Sequence, residues 1–151
     1  MPNWCAQRFT LEGSKKDVQR CLDDAVNAYN LGLVYDEGAS NMLGVWTPQD
    51  IHDIVYDNHG PKCVWDLNKA SKRPVSLTFT SKWSPSYGIS ELARLSMSYP
   101  TVYFTYDHAE QGMDEYGRFF AHNGTVREAN DNELATAIGT APFKKLRAMS
   151  G

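Results

Sequence analysis

The sequence predicts an α+β fold of the ferredoxin-like (split βαβ) kind: an antiparallel sheet, two packing helices, an inserted helix and a C-terminal extension. Three stretches carry the prediction. Val75, Leu77, Phe79, Ser81 and Trp83 alternate with Ser76, Thr78, Thr80 and Lys82, the period of a half-buried strand. Val18, Cys21, Leu22, Ala25, Val26 and Tyr29 recur at the spacing of one helical face. Val102, Phe104 and Tyr106 alternate with Thr101, Tyr103 and Thr105, a second half-buried strand.

Taken in order, Asn3 to Leu11 reads as the first strand. Cys5, Phe9 and Leu11 lie on its core side, Trp4, Ala6, Arg8 and Thr10 on the other, and Gln7 interrupts the apolar face. Glu12-Gly13 turns the chain, and Ser14 caps the first helix with Asp17 near its positive end. That helix ends near Asn30 or Gly32. Irregular chain follows, with Gly32, Gly38 and Glu37 to Asn41. A second helix is expected from Thr47-Pro48, threonine as cap and proline at the first helical position, with Ile51, Ile54 and Val55 as its stripe and Asn58-His59-Gly60 as its end. Lys62 to Asn68 reads as a strand that turns back into the Val75 strand.

Ser84-Pro85-Ser86 breaks the Val75 strand and opens a helix, because proline cannot continue a ladder and suits a first helical turn. Ile89, Leu92, Ala93 and Ser96 form its inward stripe, and Pro100 stops it. After the strand through Tyr106, Ala109 to Tyr116 reads as an acidic loop. Arg118 to His122 is a further strand closed by the Asn123-Gly124 turn. Asp131 to Ile138 reads as a short helix, and Phe143 to Met149 as a basic amphipathic tail. The whole is one domain over residues 1–151, with an insertion at about 31–61 and an extension at about 128–151. Two helices then cover one sheet face; the other is open unless the Asp131–Met149 tail covers it.

Composition excludes several classes. A hydrophobic fraction of 42% and a charged fraction of 22% belong to an ordinary globule, not a disordered chain. A net charge of −3 disfavours a non-specific nucleic-acid binder, whose affinity rests on phosphate neutralisation. Cys5, Cys21 and Cys63 have no short paired spacing of the zinc or redox kind and read as buried, reduced thiols. No apolar run approaches the ~20 residues of a membrane span, and Met1 to Thr10 lacks a signal layout. The expected location is the cytoplasm, with no membrane partner and no cofactor.

Three places carry a family resemblance: Met1-Pro-Asn-Trp-Cys5, the corner Thr80-Ser-Lys-Trp-Ser-Pro-Ser86, and Tyr106-Asp-His-Ala-Glu-Gln-Gly112 with Gly117 beyond. Together they resemble the YubB-type ferredoxin-like proteins of conjugative plasmids and phages. In that family a strand ending in a Thr-x-x-Trp-x-Pro-Pro form precedes the second helix, and a Tyr-x-Glu-x-Gly-like loop follows the next strand. Ser86 stands here in place of the second proline, and the tryptophan- and glycine-rich stretch before the central strand is reduced to Trp65-Asp-Leu-Asn-Lys69. The resemblance implies the fold and a mobile-element origin. It supplies no catalytic residue.

Four groups are candidate sites. Asp107, His108, Glu110, Asp114 and Glu115 crowd one stretch, as a divalent-metal or acid–base site would, but match no calcium-loop spacing and read rather as a solvated hairpin loop. Tyr103, with Ser76, Thr78, Thr80, Lys82, Thr101 and Thr105, would occupy the open sheet face; it is a stacking residue on a face otherwise rich in hydroxyls. Trp4 and Trp46 are interface candidates, because tryptophan is enriched at hot spots, whereas Trp83 continues a core face. Lys144, Lys145 and Arg147 form a basic terminal face.

No nucleophile elbow and no phosphate loop appears. The expected function is therefore a small non-enzymatic phage or plasmid protein that binds a host protein, such as a defence or regulatory factor. The alternatives are a single-stranded nucleic-acid or nucleotide binder using Tyr103, and a metal-dependent or acid–base enzyme at 107–115.

Overall fold

A computed structural model describes residues 4–30, 53–56, 75–82, 85 and 87–151. The elements are β1 (Trp4–Glu12), α1 (Lys15–Asn30), β2 (Asp53–Tyr56), β3 (Val75–Lys82), α2 (Ile89–Ser98), β4 (Tyr103–Glu110), β5 (Glu115–His122), β6 (Thr125–Glu128), α3 (Asp131–Ile138) and α4 (Ala141–Ser150). The strands form one sheet in the order β2-β3-β1-β4-β5-β6, every neighbour antiparallel. Its first four strands, with α1 and α2 as connections, are the split βαβ arrangement expected from the sequence. β5 and β6 extend the sheet beyond β4.

The first face is the main core. Phe9 and Leu11 of β1, Leu77 of β3, and Phe104 and Tyr106 of β4 meet Val18, Cys21, Leu22 and Ala25 of α1 and Leu92 and Leu95 of α2. The Ser14 hydroxyl accepts the Asp17 amide at 3.2 Å, and the Asp17 carboxylate accepts the Thr101 hydroxyl at 2.6 Å, so the cap of α1 is tied to the start of β4. Gly13 permits that approach, since a Cβ there would stand 2.7 Å from the Thr101 carbonyl oxygen.

The second face is covered where the terminal helices cross β1 and β4. Ala6 and Ala109, small residues side by side on β1 and β4, let Phe143 and Leu146 of α4 and Ala137 of α3 pack on the sheet. The terminal segment is thus a cap rather than a loose tail.

Four local expectations are corrected. The helix expected from Thr47 to Gly60 gives way at Asp53–Tyr56 to strand β2, paired with β3 from Thr80 to Leu77. Its adjacent β-branched Ile54 and Val55 suit a pleated strand better than a helical turn. β1 is not simply alternating, because Ala6, Gln7 and Arg8 are buried along with Cys5 and Phe9; a central strand covered on both faces has no solvent side. In α2 the inward stripe is Leu92, Leu95 and Ser96, with Ile89 exposed. Tyr87, one turn earlier, fills the place against Phe9 and Tyr106, with ring centroids at 4.9 and 5.6 Å. The loop expected from Ala109 is strand through Glu110, followed by a 3-10 turn at Gln111–Met113. The expected strand at 62–68 and Cys63, Trp46, Trp65 and Trp83 lie outside the described residues.

Candidate functional site

The acidic stretch does not form one site. Successive residues of β4 point to opposite faces, so Asp107 faces the side capped by α4 while His108 and Glu110 face the other. Asp114 occupies a left-handed turn position with φ 51°, and Glu115 opens β5 opposite Glu110. Among the described residues no three His, Cys, Asp or Glu side chains gather as metal ligands would.

Asp107 is instead the buried centre of an ion triad. Arg8 and Arg118 stand directly across from it on β1 and β5. Arg8 donates through Nη2 to Oδ2 at 2.7 Å; Arg118 donates through Nε to Oδ1 at 2.6 Å and through Nη2 to Oδ2 at 2.9 Å. The carboxylate is 0% exposed. Two charge-assisted contacts compensate its desolvation, and the hydrogen bond to Asp107 raises the Arg118 pKa. Arg118 is itself within the field of Glu133, which Arg127 holds bidentately at 2.6 and 3.0 Å.

On the first face His108 lies over Gly117, where a Cβ would come within 2.2 Å of Nε2. Its Nδ1 is buried with no hydrogen-bond partner among the described residues. Burial lowers the imidazole pKa, against the opposing pull of Asp107, Glu115 and Glu128. Burial, then the nearby Glu110, pushes the Cys5 thiol up to about 12, and burial raises Cys21 well above the ordinary thiol range. Both stay protonated at neutral pH, the state of a packing residue rather than a nucleophile.

The exposed aromatic chemistry lies on the part of the second face beyond α4, at the β4–β5–β6 end of the sheet. Tyr103, 57% exposed, stacks on His122 with ring centroids 3.8 Å apart and planes within 2°. One row inward, Phe120 stands beside Thr105, with the Arg127 guanidinium 4.6 Å above its ring. Tyr103, Phe120, His122 and Arg127, with Glu12 and Thr125, line a concavity of about 510 Å³. Tyr103 was expected on this face; Phe120, His122 and Arg127 were not. Their signal is the Asn123-Gly124 turn, where both residues have positive φ, as a two-residue hairpin turn requires. That turn sets His122 opposite Thr125 and Phe120 opposite Arg127.

Of the other candidates, Trp4 is half-buried at the start of β1, opposite Lys82. Lys144 and Lys145 are exposed on α4, while Arg147 lies 4.9 Å over the Tyr116 ring.

A family model described as the ferredoxin-like domain in Api92-like protein matches residues 63–142, more than half of the chain. The chain belongs to this family. The Api92-like match takes in β3, α2, β4, β5, β6 and α3, and agrees with the sheet order in fold. It leaves β1 and α1 outside, although β1 is the strand on which the Api92-like sheet closes. No curated protein and no solved structure matches the chain. No helix among the described residues is long and apolar enough to cross a membrane.

Proposed function

We propose that this Api92-like chain is a non-enzymatic binding protein of a phage or plasmid. It engages a host protein, a defence or regulatory factor in the host cytoplasm, through the uncovered part of the sheet's second face. The observation that carries the reading is the exposed Tyr103–His122 stack beside Phe120 and Arg127. Aromatic rings and arginine are the side chains most often found at the energetic centre of protein interfaces. The mobile-element part rests on the resemblance at Met1–Cys5, Thr80–Ser86 and Tyr106–Gly112. A protein partner fits better than nucleic acid because the patch has little positive charge to offer phosphates. Arg127 is paired with Glu133, and Glu12 adds an acid.

The exposed Tyr103 ring on a ferredoxin-like sheet supports one second reading, a platform for single-stranded nucleic acid. Affinity co-purification of the tagged protein from a bacterial host, with and without nuclease, separates the two. A discrete protein that survives nuclease and is lost on Tyr103→Ala supports the proposal. Material that vanishes with nuclease, and binding that weakens steeply with salt, transfers the assignment to nucleic acid. A bound protein unaffected by Tyr103→Ala overturns this surface.

A further inference from the structure

One residue on the inward stripe of α2 is polar. Ser96 is fully buried beside Leu92 and Leu95. Its hydroxyl donates to the Ala93 carbonyl at 2.9 Å and accepts the backbone N–H of Gly124 at 2.8 Å. Gly124 is the second residue of the turn between β5 and β6, so α2 holds that turn by its backbone. Met97, the next residue of the helix, lies against the same glycine, where a Cβ would stand 3.0 Å from its Cγ.

The turn has a reactivity of its own. Asn123, exposed at the hairpin tip, is alone among the asparagines of the sequence in being followed by glycine. A residue without a Cβ lets its backbone nitrogen come close to the preceding side-chain amide. Once that nitrogen gives up its proton it attacks Asn123 Cγ. A new C–N bond forms, the bond to the side-chain nitrogen breaks, and ammonia leaves. Water then opens the cyclic imide at either carbonyl, giving aspartate or isoaspartate. The attacking nitrogen is the one whose N–H Ser96 holds. While that bond stands, the proton is withheld from solvent base and the N–H is directed at α2.

We infer that Asn123-Gly124 is a deamidation site kept closed by the Ser96 hydroxyl, opened when the turn lifts from α2. Local opening of this kind costs less than global unfolding. Either product puts a negative charge beside His122. Isoaspartate also lengthens the backbone by one atom, which breaks the two-residue turn that pairs His122 with Thr125. The reaction thereby alters the margin of the Tyr103–His122 surface. Its effect on a partner rests on the binding role proposed above, whereas the reaction itself needs no partner.

The test follows conversion of Asn123 to the acid by peptide mass mapping, during incubation of the whole protein in mildly alkaline buffer. Urea-denatured protein is the reference. The folded protein should convert more than about tenfold more slowly than the denatured chain. Ser96→Ala, which removes the acceptor, should raise the folded rate about tenfold and speed hydrogen exchange at the Gly124 amide with it. Below the unfolding transition the wild-type rate should hardly change with urea, because lifting one turn exposes little surface. A folded rate equal to the denatured one, an unaltered rate in Ser96→Ala, or a rate that climbs with urea as steeply as global unfolding does would each overturn the inference.

Discussion

Arg8 and Asp107 face one another across the two central strands, 2.7 Å apart and 99 positions distant in sequence, within a layer sealed by the last helix of the chain. The contact makes an acid of the apparent surface stretch part of the interior. Asp107→Ala leaves the buried Arg8 guanidinium and the half-buried Arg118 without their shared counterion and should destabilise the fold by about 3–5 kcal/mol in urea unfolding. Replacing all three members, as Arg8→Met with Asp107→Leu and Arg118→Met, should recover most of that loss. A triple variant as unstable as the single one would refute the charge argument.

His108 and Gly117 make a second close pair. Gly117→Ala drives a methyl into the imidazole and should cost about 1–3 kcal/mol. Its effect should shrink when His108→Ala has removed the ring, a double-mutant cycle with coupling well outside error.

His108 also gives the fold an acid limit. Its folded pKa lies below the ordinary 6.5, so between those two values the unfolded chain is protonated there and the folded chain is not. Stability therefore falls as pH drops from about 6.5 towards the folded pKa and levels off below it. His108→Phe should flatten that part of the stability–pH curve relative to wild type. A curve of unchanged slope would show that the ring titrates normally.

The cap formed by α4 is testable apart from any ligand. Phe143→Ala should cost about 3–5 kcal/mol, since the ring is buried between the helix and the Ala6–Ala109 row. A loss under half a kcal/mol, the usual size for a surface position, would mark the helix as dispensable.

Tyr103→Ala should separate binding from folding. The stack on His122 is worth about 0.5–1.5 kcal/mol, so the midpoint of unfolding should move little. Partner affinity should fall about thirtyfold if the ring is a hot spot. Loss of both together would point to a structural role for Tyr103.

The parts of this fold that were legible in sequence are those whose burial is local and one-sided. Val18, Cys21, Leu22 and Ala25 announce α1 because one helical face suffices to bury them; Phe104 and Tyr106 do the same for β4. What was illegible depends on partners far along the chain. Ala6 and Arg8 looked like a solvent side because the helix that covers them starts at Ala141. Asp107 looked like a loop acid because neither arginine that neutralises it is nearby on the helix or strand before it. Ile54 and Val55 fit a short helical stripe until β3 offered them a ladder. The Phe120–Arg127 pair was within reach, since the Asn123-Gly124 turn dictates the register and only the β4–β5 pairing was missing.

β1 stands between β3 and β4, which do not pair with each other. Losing an outer strand would trim the sheet; losing β1 would cut it into two half-sheets, each with a raw edge open to other chains. Both partners of β1 lie far along the chain from it, beyond α1 and β2, so the centre of the sheet closes through long-range pairing, the slow regime of topology. The region that the family model matches therefore depends on a strand outside it, and a deletion of β1 or a bulky insertion into it acts on the keystone of the molecule rather than on its margin.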